Sequence, residues 1–125
     1  MLLNIGQSVQ DRDDQARARE LYQEALSRCW KLVDVWGISL SLEKVACSAA
    51  AYRQYRKAAR LFAAAQKLHQ SIGYMLEIVE RLGHEKYLPL VQHGLTPAEF
   101  AAAWAEGQAL TLEQAVAEAR GNGAV

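Results

Sequence analysis

Apolar residues recur at spacings of three and four through most of the chain, the period of helices with one buried face. From Gln15 to Val33 the apolar positions Ala18, Leu21, Tyr22, Ala25, Leu26, Cys29 and Leu32 share a side. A short helix over Leu2–Val9 precedes it, and Asp14 is placed to cap it. Further helices are predicted over Val35–Tyr52 and Tyr55–Ile72, the latter closed by Gly73, and over Tyr74–Leu82, ending near Gly83. Pro89 is expected to interrupt the pattern, since it lacks an N–H and crowds the preceding turn. "TPAE" at Thr96–Glu99 combines a capping threonine, a proline at the first helical position and a reciprocating glutamate. That helix should run to about Ala105 and end at Gly107. "TLEQ" at Thr111–Gln114 repeats the device and starts a last helix to about Arg120. The tail from 121 to 125, "GNGAV", should fray. No stretch reads as a strand, so the chain is expected to be all-α.

The helices are not independent of one another. "AARLFAAAQ" at Ala58–Gln66 lies 40 residues after "ARELYQEAL" at Ala18–Leu26. Ala18 matches Ala58, Leu21 matches Leu61, Tyr22 matches Phe62 and Ala25 matches Ala65. Twelve residues before each block stand Gly6 and Ala46, both small. On a helix these positions fall on one face. Small residues admit a neighbouring backbone and the aromatic fills the space beside it. A period of two helices with a repeated contact signature is the pattern of a helical solenoid.

The pattern resembles the tetratricopeptide repeat, with Gly6, Ala18, Tyr22, Ala25 and Ala46, Ala58, Phe62, Ala65 at its small and aromatic positions. Tyr55 stands where the second helix of that repeat opens with an aromatic. The usual turn glycine is replaced by Asp13 and Arg53, and the spacing is longer than the common 34. The segment "VWGISLSLEKVACSAAAYRQYRKAARLFAAAQKLHQSIG" followed by "EFAAAWAEGQALTLEQAVAEA" is similar to the C-terminal end of bacterial signal-transduction ATPases and LuxR-type transcriptional regulators. The resemblance implies a right-handed α–α superhelix of two hairpins, at about 1–33 and 35–73 within a 1–73 unit, and a helical cap over 74–120. It also implies that the chain is the C-terminal sensing and docking piece of such a regulator. The phosphate loop G-x-x-x-x-G-K-[ST] does not occur in it.

Composition narrows the chemistry. At 125 residues, one domain with a real core is expected. Fourteen basic residues balance fourteen acidic ones, which gives no global attraction for nucleic acid or an anionic membrane, and neither is expected as a partner. The apolar runs are too short to span a bilayer, and "MLLNIGQSVQDRDD" has no secretory n-region. Cys29 and Cys47 are expected as reduced core thiols of a cytoplasmic protein, a disulfide or a reactive thiol being the alternatives.

"HEKYL" at His84–Leu88 lacks the second histidine of a zinc helix, and His69 and His93 stand apart from it. Asp11, Asp13 and Asp14 lack the glycine and glutamate of a calcium loop and read as turn residues. Ser39, Ser41 and Ser48 have no triad partners nearby in sequence and read as small helix contacts. No metal, no cofactor and no catalytic residue is assigned, and an enzyme is not expected.

Arg53, Arg56, Lys57 and Arg60 form a basic stripe, either a solvated helix face or a patch for an acidic peptide or phosphate. Trp36, Tyr52 and Tyr55 are candidates for a partner-binding groove, while Phe100 and Trp104 pin the terminal helix. The expected function is protein interaction or ligand sensing, with a protein or peptide partner or a small inducer. The alternative is a small autonomous helical protein that homodimerises through an exposed repeat end carrying Leu2, Leu3 and Ile5.

Overall fold

Asp14, Asp34, Thr96 and Thr111 stand directly before four of the helices, and in the computed structural model each caps the helix that follows it. The structure describes residues 14–71 and 78–121, with side chains described from 14 to 71 and from 85 to 121. Asp14 accepts the Arg17 N–H at 3.2 Å and opens α1 (Gln15–Lys31). Asp34 accepts the Gly37 N–H at 3.0 Å and opens α2 (Val35–Ala51). After α3 (Tyr55–Ser71) and α4 (Ile78–Gly94), Thr96 opens α5 (Pro97–Ala109) and Thr111 opens α6 (Leu112–Ala119). Both threonines form complete capping boxes. The Thr96 N–H donates to Glu99 at 2.9 Å and the Glu99 N–H donates to the Thr96 hydroxyl at 3.1 Å. Thr111 and Gln114 repeat the pair at the same two distances. Among the described residues the secondary structure is all helical.

The first three helices run back and forth through two turns of one design. Asp34 N–H reaches Cys29 C=O at 2.9 Å and Val33 N–H reaches Trp30 C=O at 3.2 Å. Twenty residues on, Gln54 N–H reaches Ala49 C=O at 2.9 Å and Arg53 N–H reaches Ala50 C=O at 3.0 Å. These are Schellman closures, and they put the intervening residue in the left-handed region. Val33 has φ 55° and Arg53 φ 61°, at positions where glycine is free of strain. The turn glycine absent from the sequence is therefore absent from a position whose geometry favours it.

α2 is the innermost element. Every residue from Gly37 to Ala50 is buried, including Glu43 and Lys44, neither of which lacks a partner. Its sequence explains the position: serine, alanine, leucine and valine surround the helix, so it has no broad polar side to give to water. α1, α3, α4 and α6 all pack on it.

α3 lies between α2 and α5, which answers why "AARLFAAAQ" is so rich in alanine. Ala58, Ala59, Leu61, Phe62, Ala63, Ala64 and Ala65 are all buried. Small side chains on both flanks let two helices approach, and Leu61 and Phe62 supply about 1.5–3 kcal/mol each on burial. Every described position of the repeat signature is interior: Ala18, Leu21, Tyr22, Ala25, Ala46, Ala58, Leu61, Phe62 and Ala65. Gly6 and the predicted helix Leu2–Val9 lie outside the described residues, as do Gly73 and the start at Tyr74.

Two sequence expectations are corrected. Gly83 and Pro89 do not stop a helix, because α4 continues through both. Pro89 and Glu85, the residue whose carbonyl the missing N–H would have met, both stand on the exposed side, while Tyr87 and Val91 anchor the opposite side in the core. Tertiary burial outweighs the lost hydrogen bond. Gly107 does not end α5, which runs on to Ala109. A β-carbon there would lie 2.7 Å from Arg60 Cα and 2.8 Å from Ala63 Cβ, so glycine is present for helix contact rather than termination. Phe100 and Trp104 stack at 5.5 Å and pack against the core, as expected of residues that pin the terminal helices.

Candidate binding surface

Because α2 is buried along its length, side chains from this helix meet solvent mainly at its ends. The first end carries Trp36, 50% exposed, beside Leu32 at 78% and Val33 at 75%. The turn geometry forces these two aliphatic residues outward, since both follow the last helical residue of α1. The second end carries Tyr52, 41% exposed, with the Arg19 guanidinium 5.5 Å from its ring centroid. Trp36 and Tyr52 are about 24 Å apart along the helix. The structure therefore does not bring the candidate groove residues into one groove; it separates them into two ends.

Tyr55 belongs to neither end. It is half-buried against the core, and its ring fills the space beside Gly94, where a β-carbon would lie 2.7 Å from Tyr55 Cγ. Its role is to seat the end of α4 on α3.

The basic stripe is divided in the same way. Arg56 reaches Glu99 of α5 at 2.8 Å, with both groups well exposed. Arg60 donates through Nε at 2.8 Å and Nη2 at 2.6 Å to one oxygen of Glu118 in α6, and stands 3.8 Å from Glu106. These two arginines tie the C-terminal helices to α3. Arg53 and Lys57 instead face the Tyr52 end. Burial pushes the Lys57 ammonium pKa down; Glu118 works against that shift, and Arg19 and Arg60 add to it by repulsion.

A cleft opens here between α1 and the α2–α3 turn. Arg19, Gln23 and Tyr52 line its open outer part. Its inner crevice, about 10 Å³ and so large enough for one water-sized group, is reached past Gln54 and Lys57 and is floored by Ser48. Gln23 also donates to the Ala119 carbonyl at 2.7 Å, which fixes α6 to the wall of α1. Nothing in the sequence singles out Arg19 or Gln23 as a site residue, and Ser48 reads there as a small helix contact. Each is an ordinary helical residue whose neighbours here come from distant parts of the chain.

A second hollow, about 170 Å³, lies between α2, α3 and α6. Leu42, Leu68, Leu110 and Leu112 line it, and Lys67 at its rim donates to the Gln108 carbonyl at 2.8 Å. Neither cysteine forms a disulfide; Cys47 is buried, and burial pushes the Cys29 thiol pKa up, with the Ser41 hydroxyl acting against the shift and Asp34 adding to it. Among the described residues no group of three potential metal ligands comes together, and no helix is long and apolar enough to cross a membrane. Comparison with protein-family profiles, curated proteins and solved structures finds no match for this chain.

Proposed function

We propose that this chain is a non-catalytic protein-interaction and ligand-sensing module. In this reading it is a tetratricopeptide-like right-handed stack of two helical hairpins with a C-terminal helical cap. It serves as the C-terminal part of a bacterial transcriptional regulator in the cytoplasm. The observation that carries the reading is the burial of every described signature position in both units, which is what a shared packing face between successive hairpins requires. Binding falls to the ends of α2. A protein or peptide partner, or a small inducer, that favours one relative setting of α1, α2 and α3 shifts the population of that setting and so signals onward.

The test is selection of short displayed peptides on the intact chain, followed by Trp36→Ala and Tyr52→Ala. Peptides that bind the folded chain and lose affinity in either variant, with the circular dichroism unchanged, support the reading. No selectable peptide, or binding indifferent to both variants, contradicts it.

The exposed Leu32, Val33 and Trp36 favour a second reading, in which the working form is a homodimer joined through apolar surface. The repeat end first expected to do this, at Leu2, Leu3 and Ile5, lies outside the described residues. Light scattering over a range of concentrations decides between the two: a monomer throughout removes the dimer, and a dimer that Trp36→Glu dissociates establishes it.

A further inference from the structure

We infer that the cleft between Arg19 and Lys57 is a binding site for a phosphate monoester, with the phosphoryl group in the open outer part and one oxygen directed into the crevice toward the Ser48 hydroxyl. The inference rests on the interaction reading for its biological use, but its chemistry stands on three observations.

The first is charge. Arg19 and Lys57 both line the cleft, and the carboxylate that acts on Lys57, Glu118, is held by Arg60 at 2.6 Å. Glu20 on the outer rim is engaged by Arg17 at 3.4 Å. Two lining cations suit a phosphate monoester, which carries close to two negative charges at neutral pH, better than a single carboxylate. The cleft also lies at the N-terminal end of α3, where the helix dipole adds to the positive potential.

The second is Ser48. Its hydroxyl is buried and, among the described residues, has no hydrogen-bond partner, and Ser48 lines a crevice with room for one oxygen-sized group. A buried hydroxyl left unpaired is costly, and a ligand oxygen relieves that cost. The third is the supply of neutral donors. Gln54 lines the crevice, Gln23 borders both parts with one amide N–H already given to the Ala119 carbonyl, and Tyr52 holds the Arg19 guanidinium over its ring. A guanidinium, an ammonium, a hydroxyl and amides surrounding one small hollow form a donor set suited to a tetrahedral oxyanion.

The intact chain is titrated with inorganic phosphate, a phosphoserine peptide, the same peptide with glutamate, and the unmodified peptide, at constant ionic strength, while backbone amide shifts are followed by NMR. Saturable shifts confined to residues near 19–23, 48 and 52–57 are expected with phosphate and the phosphopeptide. Arg19→Gln and Lys57→Gln should each weaken binding about tenfold, Ser48→Ala about threefold, and Lys31→Gln should leave it unchanged. Tighter binding of the phosphopeptide than of phosphate identifies a phosphorylated protein as the source. Equal binding identifies a small phosphate ester. Unsaturable shifts spread over all basic residues, equal affinity in the Arg19 and Lys57 variants, or preference for the glutamate peptide overturns the inference. If selected peptides bind independently of Arg19 and Lys57, the site fails and the interaction reading stands. If phosphate binds in the cleft but no peptide can be selected, the site stands and that reading fails.

Discussion

Gly107 of α5 lies directly on the backbone of Arg60 in α3: a β-carbon at Gly107 would be 2.7 Å from the Arg60 Cα. The contact is backbone to backbone, so no flexible side chain can move aside. An alanine in the interior of a helix ordinarily gains about 1 kcal/mol over glycine. Here the forced separation of two packed helices outweighs that gain. Gly107→Ala should lower stability by about 1–3 kcal/mol in a denaturant titration. A stabilised variant would show that α5 does not approach α3 as described.

The two arginines flanking that contact should differ in worth. Arg60 and Glu118 are only 27% and 12% exposed at their side chains, whereas Arg56 and Glu99 are 65% and 39% exposed. A double-mutant cycle on the inner pair should give a coupling of about 1–2 kcal/mol that survives added salt. The outer pair should give a smaller coupling that fades with salt. Equal couplings would contradict the burial of Glu118.

Both interhelical turns hold a side chain where glycine is unstrained, Val33 at φ 55° and Arg53 at φ 61°. Relief of strain competes with the greater freedom glycine gives the unfolded chain. Val33→Gly should raise the melting temperature more than Arg53→Gly, because a β-branched residue tolerates this region least, and the gain should be up to about 1 kcal/mol. A loss of stability in both variants would contradict the turn geometry.

Glu99 supplies a dependence on acid. The Thr96 backbone N–H, then the hydrogen bond from Arg56, then the Thr96 hydroxyl contact hold its carboxyl pKa below the usual 4.5. Its folded pKa is depressed, so its contribution is present above about pH 4.5 and is lost as pH falls through the lower folded value. The stability difference between the native chain and Glu99→Gln should therefore be constant above about pH 5 and shrink below it. A difference that persists unchanged in strong acid would contradict the capping box.

What was legible in the sequence was local. Asp14, Thr96 and Thr111 announced helix starts because a capping oxygen and the N–H that donates to it are three residues apart, and all three act as caps. The paired blocks around Tyr22 and Phe62 announced an interior, and both rings are wholly buried. What was illegible depended on distant neighbours. Pro89 reads as a breaker until Tyr87 and Val91 are known to be anchored. Gly107 reads as a terminator until α3 lies beneath it. The basic stripe reads as one face until Glu99 and Glu118 take two of its members, leaving Lys57 to face Arg19. Glu43 and Lys44 gave no hint of burial, because charge alone suggests a surface and only the surrounding helices reverse that.

That α2 is the core element, exposed mainly at its two ends, is tested most directly by amide hydrogen exchange on the native chain. Amides from Ile38 to Ala50 should exchange only through global unfolding, with opening free energies within about 1 kcal/mol of the total stability, while those near Val33 and Arg53 exchange far sooner. Exchange through the middle of α2 as fast as in the α5–α6 connection would contradict it.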